Sequence, residues 1–314
     1  MSPIALAIHG GAGRLAKSKT QYPKRVTYEQ ALLRALKAGH LLLLQGGCAE
    51  SAVVAAVSVL ENEALFNAGH GAAICADGSI EMCASIMNGH DLSVGAMVGL
   101  KRAKNPIQAA QTLLPFADKG FLFGTHGDAF AENQGVTIEQ EKYFKLPLRV
   151  QQWRRMKKRN QVVLDHSDDD TTKGTVGAVA IDQNGNLSAG TSTGGLVNQI
   201  PGRIGDSPII GAGNWADNNT CAISATGTGE AFSRVVFSKR VADLMELQQM
   251  SARDAALKTL ADVKNLKGEG GCIIIDNFGQ VTLEFNTSQM LRGWVIGHEK
   301  PKVAILPGEQ VEVS

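Results

Sequence analysis

The sequence has little cysteine and no surplus of charge of either sign. Its five cysteines among 314 residues include no CxxC pair, and their odd number does not suit a disulfide framework. This usage excludes a zinc ribbon and a disulfide-stapled scaffold, and it predicts buried free thiols in a reducing compartment. The formal net charge is +1, so no overall field recruits nucleic acid or an anionic membrane. A small-molecule or peptide substrate is the better expectation.

Long apolar runs and targeting signals are also missing. The longest apolar stretch lies near residues 41–44, whereas a membrane-spanning helix needs about 20 such residues. The N-terminus has neither the basic region nor the small-residue cleavage site of a signal peptide, and we expect it to form the first strand. We therefore predict a cytoplasmic protein. With 44% hydrophobic residues, the chain can fill the core of one large α/β domain or two smaller ones.

Thr175 stands where a polar, charged stretch gives way to a short apolar run. The segment GTVGAVA at residues 174–180 predicts a strand that turns near residues 184–185 and returns to Thr193, as in a β-hairpin. A hydroxyl at the first position of a buried strand, after a flexible approach, suits a nucleophile that becomes a new N-terminus. Taken alone, a β-former that opens a strand is the simpler interpretation, and it is the downstream motifs that favour a nucleophile.

The segment before Thr175 changes in composition. Basic side chains crowd residues 154–159, and aspartates crowd residues 165–170. The basic run has no aromatic platform beside it, so we interpret it as a solvated helix face and not as a nucleic-acid site. The acidic run has little to bury, and we predict a mobile linker over about residues 157–174.

Opposite charges lie close together on the loop PGRIGDSP, residues 201–208, which prolines stiffen at both ends. Arg203 offers a planar guanidinium for a carboxylate, and Asp206 offers a carboxylate for an ammonium group. Together they suit a zwitterionic α-amino acid. A surface salt bridge between the two residues is the alternative, and the loop alone slightly favours it.

Three further glycine-rich segments are candidates for functional loops. HGGAG at residues 9–13 follows the first strand, where glycines permit positive φ; a plain tight turn is an equal alternative. FNAGHG at residues 66–71 places Asn67 in a turn, where asparagine is by default present for its backbone geometry. ATGTGE at residues 225–230 joins a strand to a helix, so its N–H groups can stabilise an anion or a developing oxyanion.

Periodicity and capping signals outline the other elements. Helices are predicted from a capping box at Thr27 to residues 46–47, and over residues 50–62, 105–114, 230–247 and 251–261. Strands are predicted at residues 4–8, 94–100, 221–225, 272–275 and 280–285, with a hairpin over residues 72–87 and irregular chain over residues 120–148. This mixture predicts an α/β fold.

Six of these segments occur together in the order HGGAG (9–13), FNAG (66–69), GTVGAV (174–179), TSTGG (191–195), PGRIGDSP (201–208) and TGTGE (226–230). In this combination the chain resembles the plant-type L-asparaginase and isoaspartyl aminopeptidase family of N-terminal nucleophile hydrolases, over nearly its whole length. The resemblance implies a single four-layer αββα sandwich, residues 1–314, made as a precursor that cuts itself between Gly174 and Thr175. The products would be one subunit of residues 1–174 and one of residues 175–314.

The resemblance makes Thr175 the nucleophile, with the Thr193 hydroxyl beside its amine and Asn67 supporting it from the larger subunit. The chemistry agrees, because after the cut the only new group beside Oγ is the residue's own α-amine. Its pKa of about 8 suits a base better than the roughly 10.4 of lysine. The branched Cβ restricts χ1 and keeps Oγ aimed. No cofactor is expected for catalysis.

The substrate side follows from the same resemblance. Arg203 and Asp206 would hold the α-carboxylate and α-ammonium groups, Thr226 and Gly227 would form the oxyanion hole, and Gly229 would shape the site. The implied reactions are hydrolysis of L-asparagine to aspartate and ammonia, and cleavage of β-aspartyl dipeptides.

The resemblance also implies a structural sodium ion and an assembly. Relatives hold sodium through backbone carbonyls of a matching loop, which here would be those of Leu60, Glu61, Glu63, Phe66, Ala68 and His70. His70 is polar at a position that we associate with aliphatic residues. The expected assembly is a dimer of cleaved pairs.

Three alternatives use related chemistry or the same clamp. Glycosylasparaginases and threonine proteases carry an aspartate before the nucleophile, where this chain has Gly174. The glycosylasparaginases also carry a signal sequence and structural disulfides, and the proteases need a groove for an extended peptide. An uncleaved, inactive pseudoenzyme would use Arg203 and Asp206 only to bind an amino acid.

Overall fold

The computed structural model describes residues 3–13, 22–116, 118–159, 161–162, 174–309 and 311–312. Its strands are β1 (Ala5–Gly13), β2 (Met82–Asn88), β3 (Val94–Leu100), β4 (Phe121–Phe123), β5 (Val176–Ile181), β6 (Leu187–Thr193), β7 (Asn214–Ala216), β8 (Cys221–Gly227), β9 (Gly270–Asp276), β10 (Val281–Phe285), β11 (Gln289–Ile296), β12 (Lys302–Ala304) and β13 (Val311–Glu312). Its helices are α1 (Tyr22–Leu44), α2 (Ala49–Asn62), α3 (Pro106–Gln111), α4 (Gly124–Asn133), α5 (Glu141–Phe144), α6 (Pro147–Arg159), α7 (Gly229–Val235), α8 (Phe237–Gln248) and α9 (Ala252–Asn265).

The strands form two sheets. The larger runs in the order β13-β12-β11-β1-β5-β6-β2-β3-β4, and the smaller in the order β10-β9-β8-β7. Neighbouring strands pair antiparallel, except that β3 and β4 run parallel. The hairpin β5–β6 that Thr175 introduces therefore lies near the centre of the larger sheet.

Alternate side chains of the central strands face opposite layers. On β1, Leu6 and Ile8 pack towards α1 and α2, whereas Ala5 and Ala7 face the smaller sheet. Helices α7, α8 and α9 pack on the other side of that smaller sheet, over a second apolar cluster. The order helices, sheet, sheet, helices is the four-layer αββα sandwich, so the predicted fold class is confirmed.

Several predicted elements are also confirmed. Helix α2 and strands β3, β8, β9 and β10 agree with their predicted ranges to within two residues. The β5–β6 hairpin turns where the N–H of Gly185 donates to the carbonyl of Asp182 at 2.9 Å. Helix α9 begins with the predicted cap, in which Ser251 Oγ accepts the backbone N–H of Asp254 at 3.1 Å.

Two helix predictions are wrong: one helix begins earlier than predicted, and the other is divided into two. Helix α1 begins at Tyr22, so Thr27 is an exposed residue inside it. In the added turn, Arg25 donates to Glu29 at 2.7 Å and to Glu309 at 2.9 Å, and the contact with Glu309 is a tertiary one that the capping signal at Thr27 does not reveal. The predicted helix over residues 230–247 divides into α7 and α8 at Val236, whose backbone is left-handed with φ 49°.

Three predictions for strands and loops are wrong as well. Residues 9–13 are not a turn, because β1 continues through them with a bulge between His9 and Ala12. Residues 72–87 do not form a hairpin, because only β2 is extended there and its partners are β3 and β6. Residues 120–148 hold β4, α4 and α5, which are too short for sequence periodicity to reveal.

The predicted linker is tested only at its beginning. Helix α6 continues to Arg159, and Lys157 Nζ donates to the carbonyl of Ala76 at 3.1 Å, so the first residues of that segment are helical. Residues 163–173 lie outside the described part of the chain.

The cysteines are mostly placed as predicted. Cys75, Cys83, Cys221 and Cys272 are buried free thiols, whereas Cys48 is exposed just before α2, so the prediction of burial is wrong for that residue. Within the ranges that the structure describes, no helix has both the length and the apolar character required to cross a membrane.

Candidate active site

Segments distant in sequence meet at one cavity. Because β5 and β6 are antiparallel with Val176 opposite Ser192, the residue before β5 lies beside the end of β6. The lining includes all nine residues predicted for cleavage, catalysis and substrate binding: Asn67, Gly174, Thr175, Thr193, Arg203, Asp206, Thr226, Gly227 and Gly229. Ala12, Gly195, Leu196, Gly205 and Ser207 complete it.

The side chain of Thr175 lies among hydroxyls. Its Oγ1 donates to Thr193 Oγ1 at 3.2 Å and lies 3.3 Å from Ser207 Oγ. The backbone N–H of Gly195 donates to Thr193 Oγ1 at 3.2 Å, which fixes that acceptor in turn. Thr175 is buried, so its hydroxyl is oriented by protein groups that carry no charge.

The bond proposed for cleavage lies against Thr226. Gly174 has φ +47°, in the left-handed region that favours glycine, and a Cβ there would lie 3.2 Å from Thr226 Oγ1. Thr226 Oγ1 is buried and has no hydrogen-bond partner within the described residues. A hydroxyl donor thus stands unused beside the residue whose carbonyl would be attacked.

Arg203 and Asp206 do not pair with each other. The guanidinium Nε donates to Glu230 Oε1 at 2.9 Å, so the alternative of a salt bridge between Arg203 and Asp206 is wrong. Asp206 is 3% exposed, and its Oδ2 has no hydrogen-bond partner in the described part of the chain. Loss of water on burial raises the pKa of Asp206 to about 7, against the opposing effect of the Arg203 charge.

Gly229 leaves the space that both charged groups face. A Cβ at Gly229 would lie 3.0 Å from Arg203 Nη2 and 3.0 Å from Asp206 Oδ1. The two groups therefore lie at equal distances from one point, as suits a ligand with a carboxylate and an ammonium group on one carbon. Any other residue here would occupy part of that space.

Asn67 contacts the turn after β6 and not Thr175 itself. Its Nδ2 donates to the carbonyl of Gly195 at 2.6 Å, and its Oδ1 accepts the N–H of Ala73 at 2.8 Å. Its own carbonyl accepts the N–H of Gly194 at 2.8 Å. Asn67 therefore acts on Thr175 only through the position of Thr193.

Two carbonyls of the loop predicted to hold sodium lie close against its glycines. A Cβ at Gly69 would lie 2.5 Å from the carbonyl oxygen of Glu61, and one at Gly71 would overlap that of Phe66. Within the described residues there is no group of His, Cys, Asp and Glu side chains that could hold a metal. Backbone oxygens are what a hard monovalent cation prefers, so the expected ion would depend on the carbonyls of this loop.

Other groups already contact this loop. Arg149 Nη2 donates to the Phe66 carbonyl at 3.2 Å, and the N–H of Gly71 donates to that of Ala68 at 3.1 Å. The carbonyls of Leu60 and Glu63 accept longer bonds from within the loop, at 3.3 and 3.4 Å. The His70 ring packs against Tyr143 with centroids 4.3 Å apart, so its polar side chain serves as an aromatic contact.

Sequence reasoning did not select Ser207, Glu230 or His9 as site residues. Ser207 and Glu230 stand next to selected residues in PGRIGDSP and TGTGE, and His9 begins HGGAG. The motifs therefore contained the signal. What they could not show was which neighbouring side chains contact Thr175 or Arg203.

Two sheets packed face to face and covered by helices on both sides are consistent with the fold of the N-terminal nucleophile hydrolases. A family model described as Asparaginase matches residues 1–305, so the chain belongs to the asparaginase family.

Curated relatives extend over nearly the same length. An isoaspartyl peptidase of Salmonella typhimurium is 39% identical over 310 residues, covering 97% of this chain and 99% of the relative. A plant-type L-asparaginase of Pyrobaculum calidifontis is 38% identical over 297 residues, covering 92% and 96%. An isoaspartyl peptidase/L-asparaginase of Xenopus laevis is 38% identical over 292 residues, covering 92% and 91%.

Proposed function

We propose that this chain is a self-processing threonine amidohydrolase that hydrolyses L-asparagine to aspartate and ammonia and cleaves β-aspartyl dipeptides. The observation that carries the proposal is one cavity lined by Thr175, Arg203 and Asp206, in which Asp206 Oδ2 has no hydrogen-bond partner within the described residues. Membership of the asparaginase family and the names of its relatives support both substrates.

Maturation uses Thr175 as an internal nucleophile. Its Oγ1 attacks the Gly174 carbonyl carbon, the bond from that carbon to the Thr175 nitrogen breaks, and an ester and a free α-amine result. Water then hydrolyses the ester and leaves a carboxylate on Gly174. Thr226 Oγ1 donates to the oxygen on which negative charge develops; this role is supported by its closeness to Gly174 and by its lack of a hydrogen-bond partner within the described residues.

Turnover uses the freed amine as the base. The neutral amine takes the Oγ1 proton while Oγ1 attacks the side-chain amide carbon of the substrate. The leaving group departs with a proton as ammonia, or as the next residue of a β-aspartyl dipeptide. Water then releases aspartate from the ester and restores Thr175.

Substrate binding uses the charged residues of the lining. Arg203 takes the α-carboxylate, Asp206 takes the α-ammonium group, and Thr226 with Gly227 stabilises the oxyanion. Gly229 keeps the space in which the α-carbon sits. The leaving group then points away from the clamp.

Two features are proposed from the family resemblance and the loop geometry. The backbone carbonyls of the loop from Leu60 to His70 would hold a structural sodium ion, which takes no part in the chemistry. The mature enzyme would be a dimer of cleaved pairs, and its cytoplasmic location stays a prediction.

Intact mass spectrometry of the purified wild-type protein tests the proposal. Two fragments divided after residue 174, together with release of ammonia from asparagine, are the expected result. A single uncut chain that binds asparagine without hydrolysing it would support the pseudoenzyme instead. A cut at another peptide bond would move the nucleophile away from Thr175.

A further inference from the structure

A buried hydrogen-bond chain contacts Thr175 and has no part in the mechanism above. His9 lies on β1 and is fully buried between the two sheets. Its Nδ1 lies 3.1 Å from the backbone carbonyl oxygen of Thr175, and its Nε2 lies 2.9 Å from Ser224 Oγ on β8. Ser224 Oγ lies 2.7 Å from Thr191 Oγ1 on β6. The chain of contacts therefore ties three strands together beside the cavity.

The partners of the His9 ring determine where its proton lies. A carbonyl oxygen only accepts, so Nδ1 carries the hydrogen and Nε2 accepts from the Ser224 hydroxyl. Burial also lowers the pKa of His9 to about 3, so the ring is neutral. Both ring nitrogens are occupied, and His9 is not available as a base for the Thr175 hydroxyl.

The sequence leaves room for this ring at Gly177. A Cβ on Gly177 would overlap both Ser224 Oγ and His9 Nε2. Gly177 lies opposite His9 where the pairing of β1 with β5 ends. The Thr175 carbonyl lies beyond that ladder, so the His9 side chain supplies the donor that the β1 backbone does not.

We propose that His9, held by Ser224, is a positioning residue for Thr175 in the mature enzyme. Before the cut, peptide bonds on both sides hold Thr175. Once the bond to Gly174 is broken, the residue is attached only through Val176, and the bond from His9 restrains its backbone. That restraint keeps the α-amine and Oγ1 in place beside Thr193. The inference rests on the proposed function, because it takes Thr175 as the nucleophile.

Variants that separate the two ring contacts test this inference on the cleaved fraction. His9→Asn keeps an N–H close to the position of Nδ1, whereas His9→Phe keeps the ring shape and loses both contacts. We expect His9→Phe to lower kcat for asparagine about 10- to 100-fold with little change in KM, because a misplaced nucleophile slows chemistry. His9→Asn should recover most of that kcat. Ser224→Ala removes the hydroxyl that donates to Nε2, and its kcat should lie between those of His9→Phe and His9→Asn.

His40→Phe is the matched control. His40 is also buried and its Nε2 bonds a backbone carbonyl, that of Gly297 at 2.7 Å, outside the cavity lining. Its loss should lower thermal stability and leave kcat unchanged. The pH dependence of kcat should be the same in wild type and in all His9 variants that retain activity.

Several results would overturn the inference. Wild-type kcat in His9→Phe, or equal losses in His9→Phe and His9→Asn, would show that the Nδ1 donor does not position Thr175. A pH profile of His9→Asn that lacks a wild-type ionisation would make His9 a base. If His9→Phe does not fold, the inference would be overturned instead by wild-type kcat in Ser224→Ala or by a 10-fold loss of kcat in His9→Asn. Failure of the wild-type protein to cut itself or to release ammonia would instead refute the proposed function.

Discussion

The two sides of the cavity are built from different chemistry. Around Thr175 the partners are neutral hydroxyls, those of Thr193 and Ser207. The charged side of the lining consists of the partly buried Arg203 guanidinium and the buried Asp206 carboxyl, whose pKa is raised by burial to about 7. Hydrogen bonds between neutral groups orient the Thr175 hydroxyl, whereas charged groups away from water interact strongly with a charged ligand. We therefore expect the hydroxyl side to control kcat, and the charged side to control substrate binding, the pH dependence of that binding, and stability.

The largest effect is expected on the hydroxyl side. Thr175→Ala should give a single uncut chain without amidase activity, because no Oγ remains for either reaction. Thr175→Ser should still cut but hydrolyse asparagine poorly, because without the branched Cβ the aim of Oγ is lost. Intact mass and ammonia release measure the two steps separately. Two fragments from Thr175→Ala, divided after residue 174, would place the nucleophile elsewhere.

The next largest effect is expected at Arg203. Arg203→Ala should leave self-cleavage intact and lower kcat/KM for asparagine about 100-fold or more, mostly through KM, because a charge-assisted contact in a desolvated site is lost. Arg203→Lys keeps the charge without the planar fork and should recover only part of that loss. A cleaved Arg203→Ala protein with an unchanged specificity constant would show that this residue does not hold the carboxylate.

The sequence predicted those parts of the site that depend on contacts between residues near each other in the chain or on the family motifs. Thr175 beside Thr193 follows from the hairpin alone, since its turn near residues 184–185 fixes the register. The approach of Gly174 to Thr226, and of Gly229 to Arg203, joins segments far apart in the chain. Only the resemblance brought those residues together before the structure was known.

What sequence did not predict depends on tertiary contacts. Glu230 reads as the first acidic residue of a helix, and nothing local shows that it pairs with Arg203. Likewise Asn105 reads as a helix cap, yet it is the Glu61 carboxylate that accepts the Ile107 N–H at the start of α3, at 2.9 Å. In both cases the contact joins residues that lie far apart in the chain, so neighbouring residues in the sequence do not reveal it.

A smaller effect, on stability, is expected from Asp206. Because burial raises its pKa to about 7 in the folded protein, compared with about 4 in an unfolded chain, the ionised form opposes folding. Below about pH 4 the carboxyl is protonated in both states, and stability is then lost as pH rises towards 7. Asp206→Asn should therefore raise the free energy of unfolding at pH 8, by up to ~4 kcal/mol, and have little effect at pH 4. Urea unfolding in the uncut Thr175→Ala background measures this on one continuous chain.

Asp128 gives the matched control for that measurement. It is also buried, but its carboxylate accepts the backbone N–H groups of Lys101, Arg102 and Ala103 at 2.9 to 3.0 Å. Asp128→Asn should therefore destabilise the protein at pH 8, opposite to Asp206→Asn. Destabilisation by Asp206→Asn at pH 8 would show that Asp206 is paired within the protein and is not kept for a ligand.

The ionisation of Asp206 also predicts that KM for asparagine rises as pH falls below about 7, because protonated Asp206 no longer attracts the ammonium group.

The smallest effect is expected at Glu230, which orients Arg203 from the rim of the cavity. Its side chain is 59% exposed, and such ion pairs contribute little energy by themselves, about 0 to 1 kcal/mol. Glu230→Gln can still accept from Nε and should raise KM about 2- to 5-fold, whereas Glu230→Ala releases the guanidinium and should raise it further, with kcat unchanged in both. Glu284→Gln, which alters the exposed pair of Glu284 with Arg253 outside the cavity, should leave both constants unchanged. If Glu230→Ala lowered kcat at constant KM, orientation of the guanidinium would affect the chemical step, and the division between a binding side and a chemical side would not hold.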